Sequence, residues 1–209
     1  MTCHVPQTRA ALTRRRVLLA AATELARYGY AGTSLTRIAS QAGVTVGALT
    51  FHFRCKPTLA RGVYEEGAAV TRTAVERALG RSRLPLQNVI DLTHEVARLL
   101  RSDITVQAAS RLSRDAACTG YDWHRLWLGE VERLADTAQG RGDLGESCTA
   151  ELLCCLVVCM LARFDTPPVH ASASLHEDLE ALTQLWCLAL GPVAARRSPA
   201  LLPGGSPQG

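Results

Sequence analysis

Lysine is nearly missing from this chain: Lys56 is the only one, and arginine carries the rest of the positive charge. Aromatic residues are scarce as well, at 5%, so Leu, Ala and Val must fill any core. No apolar run is long enough to span a bilayer. The most apolar, Leu152 to Ala162, is expected as a buried helix. Near the start there is no apolar stretch followed by a small-residue cleavage site, so a soluble, cytoplasmic protein without a membrane partner is expected. Runs of β-branched residues are few, which disfavours a sheet. The paired Cys-x-x-Cys spacing of a zinc site, a nucleophile elbow and a phosphate loop are all missing. Neither a metal nor a cofactor is therefore expected.

Cysteine is not scarce. The eight are Cys3, Cys55, Cys118, Cys148, Cys154, Cys155, Cys159 and Cys187. Without an export signal a disulfide framework is not expected. Cys154, Cys155 and Cys159 fall inside the apolar run, where free Cys behaves as a small hydrophobe and is expected to pack in the core.

The 209 residues are 47% hydrophobic, enough to build a sizeable core. Ala, Leu, Arg and Glu are abundant, and all favour helix. Charge is unevenly distributed. Residues 1–56 hold eight basic side chains against Glu24 alone, a net +7 in a chain of net +4, so the remainder is −3. A basic head on a mildly acidic body is the pattern of a polyanion-binding module joined to something else.

The periodicity predicts an all-α protein. Residues 1–10 read as a flexible arm. From Ala11 to Tyr28, Val17, Leu18, Ala21, Ala22 and Leu25 recur at helical spacing, and Gly29 reads as the stop. Thr33 and Ser34 offer N-cap oxygens for a second helix carrying Leu35, Ile38 and Ala39, which Gly43 ends. Thr45 can cap a third helix running to about His52, and a fourth starts near Lys56, with Pro57 in its first turn. Three helices with a tight glycine turn between the second and third form a helix-turn-helix. Leu35, Ile38, Ala39, Val44 and Leu49 would pack on the first helix, leaving one face of the third free to enter a major groove. Further helices are expected at about 57–80, 86–101, 104–115, 121–139, 147–163 and 174–190. Breaks fall at Leu84-Pro85, Gly140 to Gly145 and Asp165 to Pro168. The domains are then 11–56, a helix-turn-helix, and 57–191, a helical ligand-binding and dimerisation domain. Residues 192–209 read as a disordered tail.

Thr33-Ser34-Leu35-Thr36-Arg37-Ile38-Ala39, followed by Gly43-Val44-Thr45-Val46-Gly47-Ala48-Leu49-Thr50-Phe51-His52-Phe53, resembles the tetracycline-repressor (TetR) family. The Gly-Ala-Leu-x-Phe-His-Phe variant is similar to the γ-butyrolactone autoregulator receptors of antibiotic-producing actinobacteria. Ala108-Ala109-Ser110-Arg111-Leu112-Ser113 resembles a further stretch of those receptors, as does the spacing from a tryptophan to Gly142-Asp143-Leu144, which selects Trp127.

The resemblance implies a homodimeric repressor of a palindromic double-stranded DNA operator. A small effector (a γ-butyrolactone, furan or butenolide) would release it, and secondary metabolism would be its target. It implies that Thr36, Arg37, Thr45, Val46, Gly47, Thr50, His52 and Lys56 face DNA. Position 46 is usually Lys and position 50 usually Tyr, so Val46 and Thr50 remove two phosphate-binding groups and alter operator preference. Arg54 and Arg14, Arg15 and Arg16 can compensate. It implies Trp127 as an effector contact, with the apolar Leu156 near the place where the receptors carry Thr; Trp123 lies one helical turn before Trp127, and Ser113, His124 and Tyr121 could supply polar contacts. Leu175, Leu179, Leu182, Leu185 and Trp186 form an apolar stripe suited to a dimer interface. An orphan regulator without a ligand, or a sensor of antibiotics or their precursors, stays open. An enzyme is not expected: His94, His124, His170 and His176, near Asp122 or Glu177, lack any accompanying catalytic motif.

Overall fold

The computed structural model describes residues 9–80, 82–115, 120–165, 174–195 and 200–206. Among them the elements are α1 (Arg9–Gly32), α2 (Leu35–Ala42), α3 (Val46–His52), α4 (Lys56–Leu79), α5 (Pro85–Ser102), α6 (Ile104–Arg114), α7 (Arg125–Gly140), α8 (Ala150–Ala162) and α9 (Leu175–Val193). The fold is all-α. The one extended pairing among these residues is an isolated antiparallel bridge between Leu144 and Ala194. No helix among them is long and apolar enough to cross a membrane.

The chain packs as two compact units that divide inside α4, between Ala68 and Ala69. The first takes residues up to Ala68 and also Ile104–Tyr121. Its core gathers Val17, Leu18, Ala21 and Leu25 of α1, Ile38 and Ala39 of α2, Leu49 of α3, and Leu59 and Val63 of α4. Leu35 and Val44 pack on it half-buried. Gly29 interrupts α1 with φ 68°, ψ 179°, a conformation that a Cβ disfavours. Gly43 closes α2 in the left-handed region (φ 62°, ψ 42°), and its N–H reaches back to Ala39 O and Ser40 O.

Three expectations change here. Ser34 sits at the N-cap of α2, but its side chain makes no capping bond. The Thr33 hydroxyl instead donates back to Gly29 O, tying down the interruption of α1. Secondly, α6 belongs to this unit: Ala108 and Leu112 enter the same core, and Asp115 Oδ2 accepts from the Tyr30 N–H at 2.8 Å. The head is therefore larger than residues 11–56. Thirdly, Arg9 and Ala10, expected in a flexible arm, are the first residues of α1, while residues 1–8 lie outside the described ones.

The second unit holds the rest of α4, then α5, α7, α8, α9 and residues 200–206. Leu86, Val89, Ile90, Leu92, Val96, Leu99 and Leu100 of α5 are all buried, so this helix is enclosed around most of its girth. Pro85 opens α5 at its first turn, where a missing N–H costs nothing. α9 starts with a complete capping box, in which Ser174 and Glu177 satisfy each other's backbone N–H groups. Asp178, 2% exposed, is clamped between Arg101 Nε, at 2.7 Å, and the Arg163 guanidinium, joining α5 and the end of α8 to α9. The helix expected from residue 121 starts at Arg125, because Asp122 and His124 shape a turn before it.

Four sequence expectations fail in this unit. α8 is not buried throughout: Leu152 (55% exposed) and Val158 (42%) face outward, while Leu153, Val157, Met160 and Leu161 point in. The described cysteines are not core residues. Cys55, Cys155, Cys159 and Cys187 are exposed, and Cys148 and Cys154 are half-buried. Cys3, Cys118 and His170 lie outside the described residues. The α9 stripe is split: Leu182 and Trp186 are buried, Leu179 is half-buried, and Leu175 and Leu185 are exposed. Finally, residues 192–209 are not a disordered tail as a whole. α9 continues to Val193. Leu202 then exchanges two backbone hydrogen bonds with the Gln87 side chain, and the Ser206 N–H donates to Asp91 Oδ1. Residues 196–199 and 207–209 lie outside the described residues.

Candidate functional site

The turn Gly43–Thr45 sets up α3. Thr45 is extended (φ −75°, ψ 155°), and its hydroxyl accepts from the Ala48 N–H at 3.1 Å, the N-cap bond that its side chain promised. A seven-residue helix has little stability of its own, so Leu49 (0% exposed) and the following Phe53 (3%) anchor it in the core. The opposite face is left bare. Thr45, Val46, Gly47 and Phe51 are exposed, and Thr50 and His52 are half-buried. The Thr50 hydroxyl donates to Gly47 O at 3.0 Å, and the His52 ring meets Phe51 edge-on.

Phe51 was missed in the sequence reading and is the most conspicuous residue of this face, at 82% exposed. The signal was available. Leu49 and Phe53 share the buried face at i and i+4, and Phe51, two residues from each, must point away from it.

The basic groups around α3 divide into tethered and free. Arg37 Nε donates to Glu24 Oε2 at 2.8 Å, its other nitrogen reaches Gly32 O, and it lies over the Tyr28 ring. Lys56 Nζ donates to Thr33 O at 2.7 Å and sits over the Tyr30 ring. Arg14 stacks on Phe53, and Arg16 holds Ala42 O. Arg15 and Arg54 are exposed, with no ion pair among the described residues. Thr36 is exposed on α2.

The residues expected to touch an effector are not all neighbours. Ser113 and Tyr121 belong to the first unit. The Ser113 hydroxyl donates to Ala109 O, and Tyr121 stacks on Tyr64 with ring centroids 4.6 Å apart. Trp123, His124, Trp127 and Leu156 belong to the second. There the rings of Trp123, His124 and Trp127 form a mutual edge-to-face trio with centroids 5.4–6.1 Å apart. The Trp123 N–H donates to Thr71 Oγ1 at 2.8 Å, and His124 Nε2 lies 3.6 Å from Asp165. Trp127, only 2% exposed, has an indole N–H with no hydrogen-bond partner. Trp186 on α9 is in the same condition. A buried donor left unmade costs about 1–3 kcal/mol, and Trp186 gave no sign of this in a stripe that read simply as apolar. Leu156 is half-buried on α8. Among the described residues no group of three or more His, Cys, Asp or Glu side chains could hold a metal ion.

Residues 17–63 match the family of bacterial regulatory proteins, tetR family. The chain is 31% identical over 140 residues to the A-factor receptor protein of Streptomyces griseus; the match takes in 66% of this chain and 48% of the receptor, about half its length. It is 25% identical over 190 residues to the HTH-type transcriptional regulator UidR of Escherichia coli K12, covering 84% of this chain and 93% of UidR. Among solved structures it is similar to the TetR family protein CprB of S. coelicolor A3(2) (TM-score 0.72, 26% identity, 90% and 93% of the two chains). An ArpA-like γ-butyrolactone receptor shares the fold at TM-score 0.73 and 24% identity, with 91% of each chain covered. The capped α3, the matched segment and these likenesses agree: residues 17–63 carry the tetR-family segment, and the chain resembles the TetR-type regulators and their γ-butyrolactone receptors.

Proposed function

We propose that this protein is a homodimeric repressor that reads a palindromic operator with α3 and is released by a small lactone-like effector. The observation that carries the reading is the outward face of α3, held rigid by the Thr45 cap and by Leu49 and Phe53. On that face Gly47 lets the backbone approach the groove, Thr50 and Val46 can touch base edges and thymine methyls, and Phe51 can lie against the sugar–phosphate backbone. Arg54 and Arg15 supply phosphate contacts, with Thr36, Arg37, His52 and Lys56 at the margin. Operator preference differs from that of relatives with Lys and Tyr at positions 46 and 50.

Leu152 and Val158 on α8, with Leu185 and Leu188 on α9, are exposed apolar side chains. They suit a four-helix contact between two copies, which would place two recognition helices on two half-sites. For the effector, the unpartnered Trp127 N–H calls for a carbonyl or ring oxygen, which a γ-butyrolactone, furan or butenolide carries. Binding would favour a conformation with mismatched helix spacing, the usual logic of population shift. Control of secondary metabolism from the cytoplasm follows from the same reading.

Gel shifts on palindromes upstream of its own and neighbouring genes test the DNA reading, and absence of any bound palindrome refutes it. Release by synthetic γ-butyrolactones and butenolides, abolished by Trp127→Phe with DNA binding intact, tests the effector. The apolar Leu156, where the receptors resembled carry Thr, favours a second reading: a regulator without a lactone ligand. Tight DNA binding that no lactone or culture extract releases would select it.

A further inference from the structure

α5 and α9 enclose a cleft that the functional reading leaves unused. Asp91, His94, Glu95 and Arg98 line it from α5 at positions i, i+3, i+4 and i+7, a single helical face. Glu180 and Thr183 line it from α9, with His176 beside them, and residues 204–206 roof it. Its volume is about 490 Å³, within the range of small-molecule sites. Trp127 is not among its lining residues.

The charges in this cleft do not balance. Arg98 is committed to Glu95, with its two nitrogens 2.6 and 3.3 Å from the carboxylate, and Arg77 adds a contact to Glu95 at 3.6 Å. Among the described residues no cationic side chain pairs with Asp91 or Glu180. The His94 ring does not supply the charge: burial holds its pKa below the usual imidazole value, against the opposing pull of Ile90 O and Asp91. Asp91 is only 1% exposed. Its Oδ1 accepts from Gln87 Nε2 at 2.9 Å and the Ser206 N–H at 2.7 Å, while its Oδ2 has no hydrogen-bond partner. An enclosed carboxylate without a counter-charge is destabilising unless something donates to it. The roof keeps it enclosed. Gly205, at φ 81°, lies over it, and an added Cβ would stand in van der Waals contact with Oδ1, at 3.4 Å.

We propose that this cleft binds a small organic ammonium ion, whose N–H groups donate to Asp91 and Glu180. The excess of carboxylate selects a cation. The unfilled acceptor selects one that carries N–H donors. The Arg98–Glu95 pair and the His94–Thr183 contact (3.2 Å) form walls that are already satisfied.

The test is calorimetric titration of the full-length protein at pH 7.5 with spermidine, putrescine, choline and Mg²⁺ in separate runs. Saturable 1:1 binding of spermidine or putrescine is expected, weakened at least tenfold by Asp91→Asn and several-fold by Glu180→Gln. Asp91→Asn keeps the acceptor for Gln87 and Ser206 but removes the lone charge, so its thermal midpoint without ligand should equal or exceed that of the parent. Glu180 is exposed, so Glu180→Gln provides a test that does not depend on the buried site tolerating change. No saturable binding of either amine, or binding that both variants leave unchanged, overturns the proposal. Choline binding as tightly as the amines would show that N–H donation is not what is read. Binding of Mg²⁺ in place of the amines would make the cleft a metal site. Either result also overturns it.

Discussion

At the scale of single residues, Thr45 and His94 act through one hydrogen bond and one proton. The Thr45 cap satisfies an orphan N–H at the start of a helix only seven residues long. Its loss in Thr45→Ala should cost about 1 kcal/mol of local stability, which corresponds to roughly fivefold weaker operator binding if the helix must form to bind. Thr45→Ser should restore both; gel-shift affinity read beside circular dichroism checks this. His94 makes stability depend on pH, and the sign follows from burial. Its folded pKa lies below the unfolded value of about 6.5, so the unfolded chain takes up the proton first. The His94 contribution is therefore complete above about pH 6.5 and is lost as pH falls from there toward the folded pKa. Asp91 and Glu95 on α5, and Thr183, His176 and Glu180 on α9, share the cleft with this ring. Thermal midpoints measured from pH 7.5 to 5 should fall, and His94→Gln should flatten that slope. An unchanged slope in the variant would remove His94 as its source.

At the scale of elements, the sequence was most legible where chain-local chemistry decides. Gly29, Gly43 and Thr45 end or start helices through their own backbone and hydroxyl preferences, and Pro85 opens α5 for the same reason. It was least legible where distant segments meet. Nothing near α6 announces that it packs on α1, because the pairing rests on Ala108 and Leu112 filling a gap left by residues some ninety positions earlier. Cys154, Cys155 and Cys159 were misread for a related reason. Beyond Glu151, α8 is apolar on every side, and periodicity cannot say which side a neighbour covers. Composition likewise made residues 200–206 look like tail, yet one long-range partner, Gln87, is enough to hold Leu202. Of the site, the α3 face could be read ahead of the structure, whereas the unmet N–H groups of Trp127 and Trp186 exist only in three dimensions.

The approach of α4 to α6 yields a prediction at this scale. A Cβ at Gly67 would overlap the Thr105 carbonyl and crowd Ala109. In an open helix Gly→Ala gains about 1 kcal/mol from propensity, but overpacking against fixed backbone costs about 1–3 kcal/mol. The cost should prevail, so Gly67→Ala should lower stability by about 1–2 kcal/mol in urea unfolding. A rise in stability would mean that α4 and α6 do not approach so closely.

At the scale of the whole molecule, the question is what covers the apolar side chains left bare on α8 and α9. Leu188 is 78% exposed, Leu152 55% and Val158 42%. Scattered apolar exposure is ordinary, and Leu12, Leu19 and Phe51 show it elsewhere, but these three lie on the two helices that the dimer reading assigns to a partner. Burying one such leucine contributes about 1.5–3 kcal/mol, and a two-fold contact uses each position twice. Leu188→Glu would instead bring a carboxylate from each copy into that contact. The expected outcome is a dimer at least about 100-fold weaker, equivalent to about 2.7 kcal/mol, with the helical content of the monomer unchanged because Leu188 serves no core. Light scattering after size exclusion would show the shift in mass. Operator binding should fall with it, since one recognition helix reads only one half-site. A variant that stays dimeric and binds normally would place the dimer contact elsewhere on the molecule and leave this apolar face without its proposed partner.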